Sequence, residues 1–190
     1  MPTDTEVQPI VEMRGITIQF PGVLALDGVD FTLRPGQVHT LMGENGAGKS
    51  TLIKALTGVY PIDGGTITVG GDPRVFHGTA DAQTAGISTV YQEINLCTNL
   101  SVGENVMLGH EVRTLGRIDW RATHREAERH LDALGVRIDT RSLLSSHSIA
   151  VQQLVAISRA MVTDCTVLVL DEPTSSLDRG EVDQLFRVIR

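Results

Sequence analysis

The chain has 190 residues, of which 41% are hydrophobic and 21% charged, an ordinary composition for a globular protein with its own core. Its formal net charge of −7 argues against a nucleic-acid groove as the main partner surface. No run approaches the roughly 18 apolar residues of a membrane-spanning helix, and the N-terminus lacks the basic and apolar regions of a secretory signal. Cys97 and Cys165 lie outside any CxxC pattern, so we expect reduced thiols.

The first half of the chain alternates short apolar segments with glycine- and proline-containing turns. Residues 1–9 are polar and contain two prolines, so they are predicted to form a loose tail. In chain order, the patterns then predict strands over 15–20, 26–33 and 38–42, a helix over 49–58, and strands over 66–71 and 86–91.

The second half is predicted to be mainly helical. Apolar residues at helical spacing predict an amphipathic helix from Trp120 to Leu134, whose Arg and Glu residues form a solvated face. A second helix is predicted from Ser148 to Val162. The continuous apolar run 165–170 is typical of a parallel strand buried on both faces, and residues 180–190 again have a helical pattern.

Residues 43–50 fit the phosphate-loop pattern G-x-x-x-x-G-K-[ST] in full, between a predicted strand and a predicted helix. In such a loop, glycines let backbone N–H groups surround the phosphates, Lys49 reaches their oxygens, and Ser50 offers a hydroxyl to Mg²⁺. The alternative is a glycine-rich turn with no ligand. The pattern therefore predicts a site for ATP and Mg²⁺ made by Gly43, Glu44, Asn45, Gly46, Ala47, Gly48, Lys49, Ser50 and Thr51.

Two adjacent acids, Asp171 and Glu172, follow the predicted buried strand. Carboxylates in that position are costly to desolvate unless a cation or a proton pairs them. We expect Asp171 to bind Mg²⁺, directly or through water, and Glu172 to act as general base for the attacking water. Pro173 favours an extended conformation at Glu172. A solvated Asp-Glu-Pro turn is the alternative for this segment taken alone.

The order of the remaining motifs resembles that of ABC-type ATPases. Gln92, in VYQE, resembles the family's Q-loop glutamine, which implies a catalytic and Mg²⁺-binding role, and Ser175–Asp178 resembles the D-loop. Phe20 stands where the family places an aromatic residue that stacks on adenine; a phenylalanine of the core is the alternative. Residues 21–71 and 85–109 further resemble the ATP-binding subunit of bacterial monosaccharide importers of the ribose/galactose/xylose type.

The resemblance extends over nearly the whole chain from Ile10 and implies an α/β fold of the P-loop (RecA-like) kind. We expect a mostly parallel core sheet, an antiparallel β subdomain and a helical subdomain. The implied division is a flexible tail at 1–9, the β subdomain and first half of the core at 10–92, the helical subdomain at 93–163, and the second half of the core at 164–190.

The family's signature segment, usually LSGGQ, aligns with residues 147–151, His-Ser-Ile-Ala-Val. Ser148 matches the signature, and Ala150 replaces its second glycine, a change that is familiar among sugar importers. His147 and Val151 depart from the pattern. The resemblance implies that Ser148, Ala150 and the following helix N-terminus contact the γ-phosphate held by a partner cassette.

The family also carries a switch histidine after the helix that begins near Gly180, and none of the six histidines lies beyond Asp178. Nor does a second cassette follow. We therefore interpret the sequence as an N-terminal fragment whose core sheet is incomplete, or is completed by exchange with another copy. From such a fragment we expect weak nucleotide binding and little or no hydrolysis.

Three functions stay open. The first is the motor of a sugar importer, peripheral on the cytoplasmic face of the inner membrane. Its partners would be a second cassette, membrane permease subunits and, indirectly, a sugar-binding protein, with no nucleic acid. Residues 100–109 (LSVGENVMLG) and the helical segment after them would contact the permease subunits. The second is a soluble ABC ATPase of DNA repair or translation, which the acidic charge and the absence of an insertion between Gln92 and Ser148 disfavour. The third is a nucleotide-binding module without turnover, which the altered signature and the missing switch histidine favour and Glu172 opposes.

Overall fold

The computed structural model describes residues 8–44, 46–91, 96–171, 173–174, 177 and 179–189. The chain divides into two compact units, Met1–Ile87 and Ser88–Arg190. Among the described residues, no helix has both the length and the apolar character needed to cross a bilayer.

The first unit is built on a four-stranded antiparallel sheet in the order β2-β1-β3-β4. Val11 and Met13 alternate with polar residues along β1, as do Ile16 and Ile18, and all four are buried, because the pairing register shifts between Met13 and Ile16. The four strands are β1 (Val11–Phe20), β2 (Val23–Leu33), β3 (Gly64–Val69) and β4 (Asp72–Arg74).

Two helices accompany this sheet. Helix α1 spans Lys49–Leu56 and buries Leu52, Ala55 and Leu56, and helix α2 spans Thr79–Thr84. The prediction of α1 is confirmed, as are the strands predicted at 15–20, 26–33 and 66–71. Strand β4 and helix α2 are too short to give a sequence pattern and were not predicted.

The strand predicted over 38–42 is wrong. Residues 37–44 have no regular secondary structure, and the side chains of Val38 and Met42 are 73% and 87% exposed. A strand is stable when a neighbouring strand satisfies its backbone groups. Within the described ranges no strand pairs with 38–42, so the apolar alternation there does not produce one.

The second unit is mainly helical. Strand β5 (Ile87–Val90), which begins at the junction of the units, pairs in parallel with β8 (Val167–Leu170), and β6 (Arg113–Thr114) pairs with β7 (Arg117–Ile118). The helices are α3 (Val102–Val106), α4 (Trp120–Ala133), α5 (Ile149–Ala160) and α6 (Arg179–Ile189). Helices α3, α4 and α5 contribute to one apolar core that includes Val106, Leu131 and Leu154.

Helix α4 confirms its predicted amphipathic pattern. Thr123, Ala127 and Leu131 are buried at spacings of four residues, while Arg125 and Glu128 are exposed. Asp119 caps the helix, because its Oδ1 accepts a hydrogen bond of 2.9 Å from the backbone N–H of Ala122. The charged run is therefore a solvated helix face.

Strand β8 lies where the apolar run 165–170 predicts it, but the prediction that both faces are buried is wrong. Val167 is buried, whereas Leu168, Val169 and Leu170 are half-buried. Strand β5 is the neighbour of β8 among the strands that the structure describes. A strand with a neighbour on one side has less cover than the central strand of a wide parallel sheet.

Candidate functional site

The candidate site begins with residues 43–51, here called the phosphate loop, which leads directly into α1 in the first unit. Gly43 and Glu44 are exposed, Gly46–Gly48 form a turn, and Lys49, Ser50 and Thr51 are the first three residues of the helix. The Ala47 N–H donates to the carbonyl of Glu44 at 3.1 Å, which closes the turn. Asn45, also predicted in this set, lies outside the described residues.

Lys49 holds its ammonium group against the loop. Its Nζ donates to the carbonyl oxygens of Gly43 at 2.7 Å and of Glu44 at 2.8 Å. A cation is thus fixed at the N-terminus of α1, where the helix dipole and free backbone N–H groups also favour an anion. An ammonium has three donors, so this position can serve a phosphate oxygen.

Gly48 is the residue on which the loop geometry depends. Its φ of 80° is in the left-handed region, and it precedes the first residue of α1. A Cβ added at Gly48 would lie 2.9 Å from Leu26 Cδ2 and 3.0 Å from the carbonyl oxygen of Ala25. The loop therefore packs against β2 so closely that a side chain at 48 must displace one of them.

We expect Gly48→Ala to weaken ATP binding by about tenfold. A left-handed alanine costs about 1–2 kcal/mol, and the displaced loop loses alignment of its N–H groups, which together correspond to about one factor of ten. The measurement is a calorimetric titration with ATP and Mg²⁺. The control is Gly78→Ala, since Gly78 is extended at φ 176° and an added Cβ meets nothing within 4 Å. Equal affinities for the two variants would contradict the requirement for glycine at 48.

Phe20 ends β1 on the same hairpin that contacts the phosphate loop. It is half-buried, and its ring lies edge-on to that of Tyr60, with the centroids 5.2 Å apart and the planes at 75°. The first unit thus combines both predicted features, an aromatic residue and a phosphate loop.

Asp171 follows β8 in the second unit and is half-buried. Its backbone N–H donates to the carbonyl of Val90 at 3.0 Å, so the carboxyl ends of β5 and β8 are joined at this point. Several other predicted residues lie outside the described ones, namely Gln92, Glu172, Ser175, Ser176 and Asp178.

The signature-like segment forms the start of α5. Ser148 is the N-cap, and its hydroxyl accepts a hydrogen bond of 3.4 Å from the N–H of Val151. Ala150 is 5% exposed, so its methyl group packs into the core. The departure at His147 has a structural use, because its side-chain Nε2 lies 2.6 Å from the hydroxyl of Ser142.

Residues 100–109, predicted to contact membrane subunits, contain α3 and a capping box. The Ser101 hydroxyl and N–H both donate to Glu104, whose own N–H donates back to Ser101. The hydrogen bond from the Ser101 hydroxyl, followed by the one from the Ser101 N–H, holds the pKa of Glu104 below its ordinary value. The side chain of the fully buried Asn105 accepts a hydrogen bond from the backbone N–H of Cys97 and donates one to the Cys97 carbonyl. This segment is therefore firmly fixed within the second unit.

Sequence reasoning missed two features of these regions. The spacing Ser101-x-x-Glu104 before an apolar run was a signal for the capping box. The contact between Phe20 and Tyr60 had no such signal, because Tyr60 lies in the connection between α1 and β3, 40 positions from Phe20.

A family model described as ABC transporter matches residues 26–175. The fructose import ATP-binding protein FruK of Bifidobacterium longum is 66% identical over 187 residues, which are 98% of this chain and 36% of that protein. The ribose import ATP-binding protein RbsA 1 of Rubrobacter xylanophilus is 50% identical, over 97% of this chain and 37% of that protein. The galactofuranose transporter ATP-binding protein YtfR of Escherichia coli is 48% identical, over 99% of this chain and 38% of that protein. The chain thus spans somewhat more than a third of the length of these relatives.

Solved structures agree with the sequence comparison. An ATP-binding cassette of an ABC transporter in its ADP conformation matches with a TM-score of 0.84 at 25% identity, over 96% of this chain and 76% of that one. A nucleotide-free ATP-binding cassette matches with a TM-score of 0.81. These likenesses confirm the predicted α/β cassette fold. The match of the family model over residues 26–175 shows that the chain belongs to the ABC transporter family.

Proposed function

We propose that the chain binds ATP with Mg²⁺ through the phosphate loop and is the ATP-hydrolysing part of a bacterial monosaccharide importer. The observation that carries the ATP-binding part is the position of Lys49 Nζ, fixed on the carbonyls of Gly43 and Glu44 at the start of α1. Positive charge, a helix N-terminus and a loop with no room for a side chain at Gly48 together fit a triphosphate.

Each site residue has a proposed role in ATP binding or hydrolysis. Lys49 and the N–H groups of residues 43–51 bind the phosphates, and Phe20 stacks on adenine. By the order of the motifs, Ser50, Gln92 and Asp171 would hold Mg²⁺, which would neutralise charge on the phosphates. Glu172 takes the proton of the water that attacks the γ-phosphorus while the bond to the β,γ-bridging oxygen breaks. This assignment of metal and base rests on the order of motifs in the sequence.

The proposal of an importer role is supported by the names of the similar proteins. Fructose, ribose and galactofuranose appear in their names, so we infer a monosaccharide as cargo and membrane permease subunits as partners. Residues 100–109 are the candidate contact with those subunits on the resemblance of their sequence alone; within the segment Val102, Asn105 and Val106 are fully buried and Gly109 is exposed. A second cassette would contribute its signature segment to the nucleotide bound here, and Ser148 with Ala150 would do the same for the partner.

Transport in a reconstituted system tests this function. The whole protein and its membrane subunits are placed in liposomes with labelled fructose, ribose or galactofuranose outside and a matching binding protein. We expect uptake of one sugar that requires ATP on the side of the cassette. ATP turnover that is indifferent to the membrane subunits, with no uptake of any sugar, would contradict the importer role.

A further inference from the structure

The end of β1 is held by the connection between α1 and β3 at two separate points. The ring of Tyr60 contacts that of Phe20 edge-on, with centroids 5.2 Å apart. One residue earlier, the N–H of Gln19 donates to Asp63 Oδ2 at 2.7 Å, and the N–H of Asp63 donates to the carbonyl of Thr17 at 2.9 Å. Both the ring of Phe20 and its adjoining backbone are therefore fixed by residues 60–63.

Tyr60 is itself held by helix α1. The N–H groups of Val59 and Tyr60 both donate to the carbonyl of Lys54, at 2.8 and 3.1 Å. The ammonium of Lys54 also lies over the Tyr60 ring, 5.2 Å from its centroid. Because α1 begins at Lys49, one helix connects the phosphate loop to the residue that contacts Phe20.

The distance between Phe20 and the phosphate loop suits a ligand that contacts both. Its register partner is Val23 on β2, three residues before Leu26, whose side chain packs against Gly48. Three residues of extended strand span about 10 Å. Val23 and Leu24 are 59% and 52% exposed, so apolar surface continues beside Phe20. An edge-on neighbour covers at most one face of the Phe20 ring, and the ring is half-buried.

We propose that Tyr60 is a positioning residue for the base of the nucleotide. It holds the Phe20 ring so that a purine can stack on that ring while the triphosphate lies in the phosphate loop. This inference rests on the proposed ATP binding and extends it, since it assigns base affinity to a pair of rings and not to Phe20 alone. Asp63 supports the same arrangement from the backbone side.

Two ligands separate a role at the base from a role at the phosphates. Mg²⁺ with ATP and Mg²⁺ with inorganic tripolyphosphate are titrated calorimetrically into the 190-residue chain and its variants, with the melting temperature recorded for each. We expect Tyr60→Ala to weaken ATP binding about fivefold to tenfold, in line with the loss of one ordered stacking contact. Tripolyphosphate binding should change less than about twofold, and Tyr60→Phe, which keeps the ring, should restore ATP binding.

A double-mutant cycle with Phe20→Ala tests whether Tyr60 acts through Phe20. We expect the double variant to lose no more ATP affinity than Phe20→Ala alone. Additive losses, or equal losses for ATP and tripolyphosphate, would overturn the positioning role. If the wild-type chain bound neither ligand, both the proposed ATP binding and the inference about Tyr60 would be contradicted. If it bound both and Tyr60→Ala left both affinities unchanged, this inference alone would fail.

Discussion

Lys49→Ala abolishes ATP binding at micromolar nucleotide, and we expect a loss of about 100-fold or more in affinity. The variant removes the ammonium held 2.7 and 2.8 Å from the carbonyls of Gly43 and Glu44. Two charge-assisted contacts to phosphate oxygens contribute about 3–6 kcal/mol, which corresponds to at least about two factors of ten. Calorimetry with ATP and Mg²⁺ measures the change.

Arg74→Ala is a matched control for Lys49→Ala. It removes one positive charge from the same unit, but Arg74 lies on strand β4 in an exposed pair with Asp72 at 3.5 Å. Exposed pairs of this kind contribute little to stability, so both fold and affinity should be preserved. Unchanged affinity in Lys49→Ala, in a protein that melts like the wild type, would show that the phosphate loop does not bind ATP.

Glu172→Gln in the whole protein is expected to keep ATP binding and remove turnover. The substitution keeps the size of the side chain and removes its capacity to accept a proton from water. General-base catalysis contributes about 100-fold to 10,000-fold to rate, so steady-state hydrolysis should fall at least about 100-fold. Phosphate release measured at saturating ATP, beside calorimetric binding, separates the two effects.

A nearby acid provides the comparison for Glu172→Gln. Asp164 precedes β8 at the opposite end of the strand from Asp171. Asp164→Asn removes one carboxylate from the same region and should leave hydrolysis within about twofold of wild type, as surface substitutions usually change little. Retained hydrolysis in Glu172→Gln would refute its assignment as the base.

The sequence predicted best those features that depend on local chemistry. Lys49 and Gly48 stand in a motif whose glycines, lysine and hydroxyl have fixed spacings, and the structure has the turn and helix start that the motif requires. Helix α4 was equally predictable from the sequence, because Ala127 and Leu131 repeat at helical spacing and Asp119 is a good N-cap.

The predictions that failed depend on partners distant in sequence. The alternation Val38-His39-Thr40-Leu41-Met42 is compatible with a strand, but strand formation also requires a neighbour to pair with, and periodicity carries no information about one. The partial burial of Leu168 and Leu170 has the same cause. Likewise, the contact of Phe20 with Tyr60 depends on how the α1–β3 connection returns to β1, which no short motif encodes.

The most direct test of the phosphate loop as the ATP site is a crystal structure of the chain with Mg²⁺ and a non-hydrolysable ATP analogue. The quantity to measure is the distance from Lys49 Nζ to the nearest phosphate oxygen. We predict a charge-assisted hydrogen bond of about 2.7–2.9 Å, with the triphosphate surrounded by the N–H groups of residues 43–51. A nucleotide bound elsewhere, while Lys49 Nζ keeps its bonds to the carbonyls of Gly43 and Glu44, would contradict the assignment.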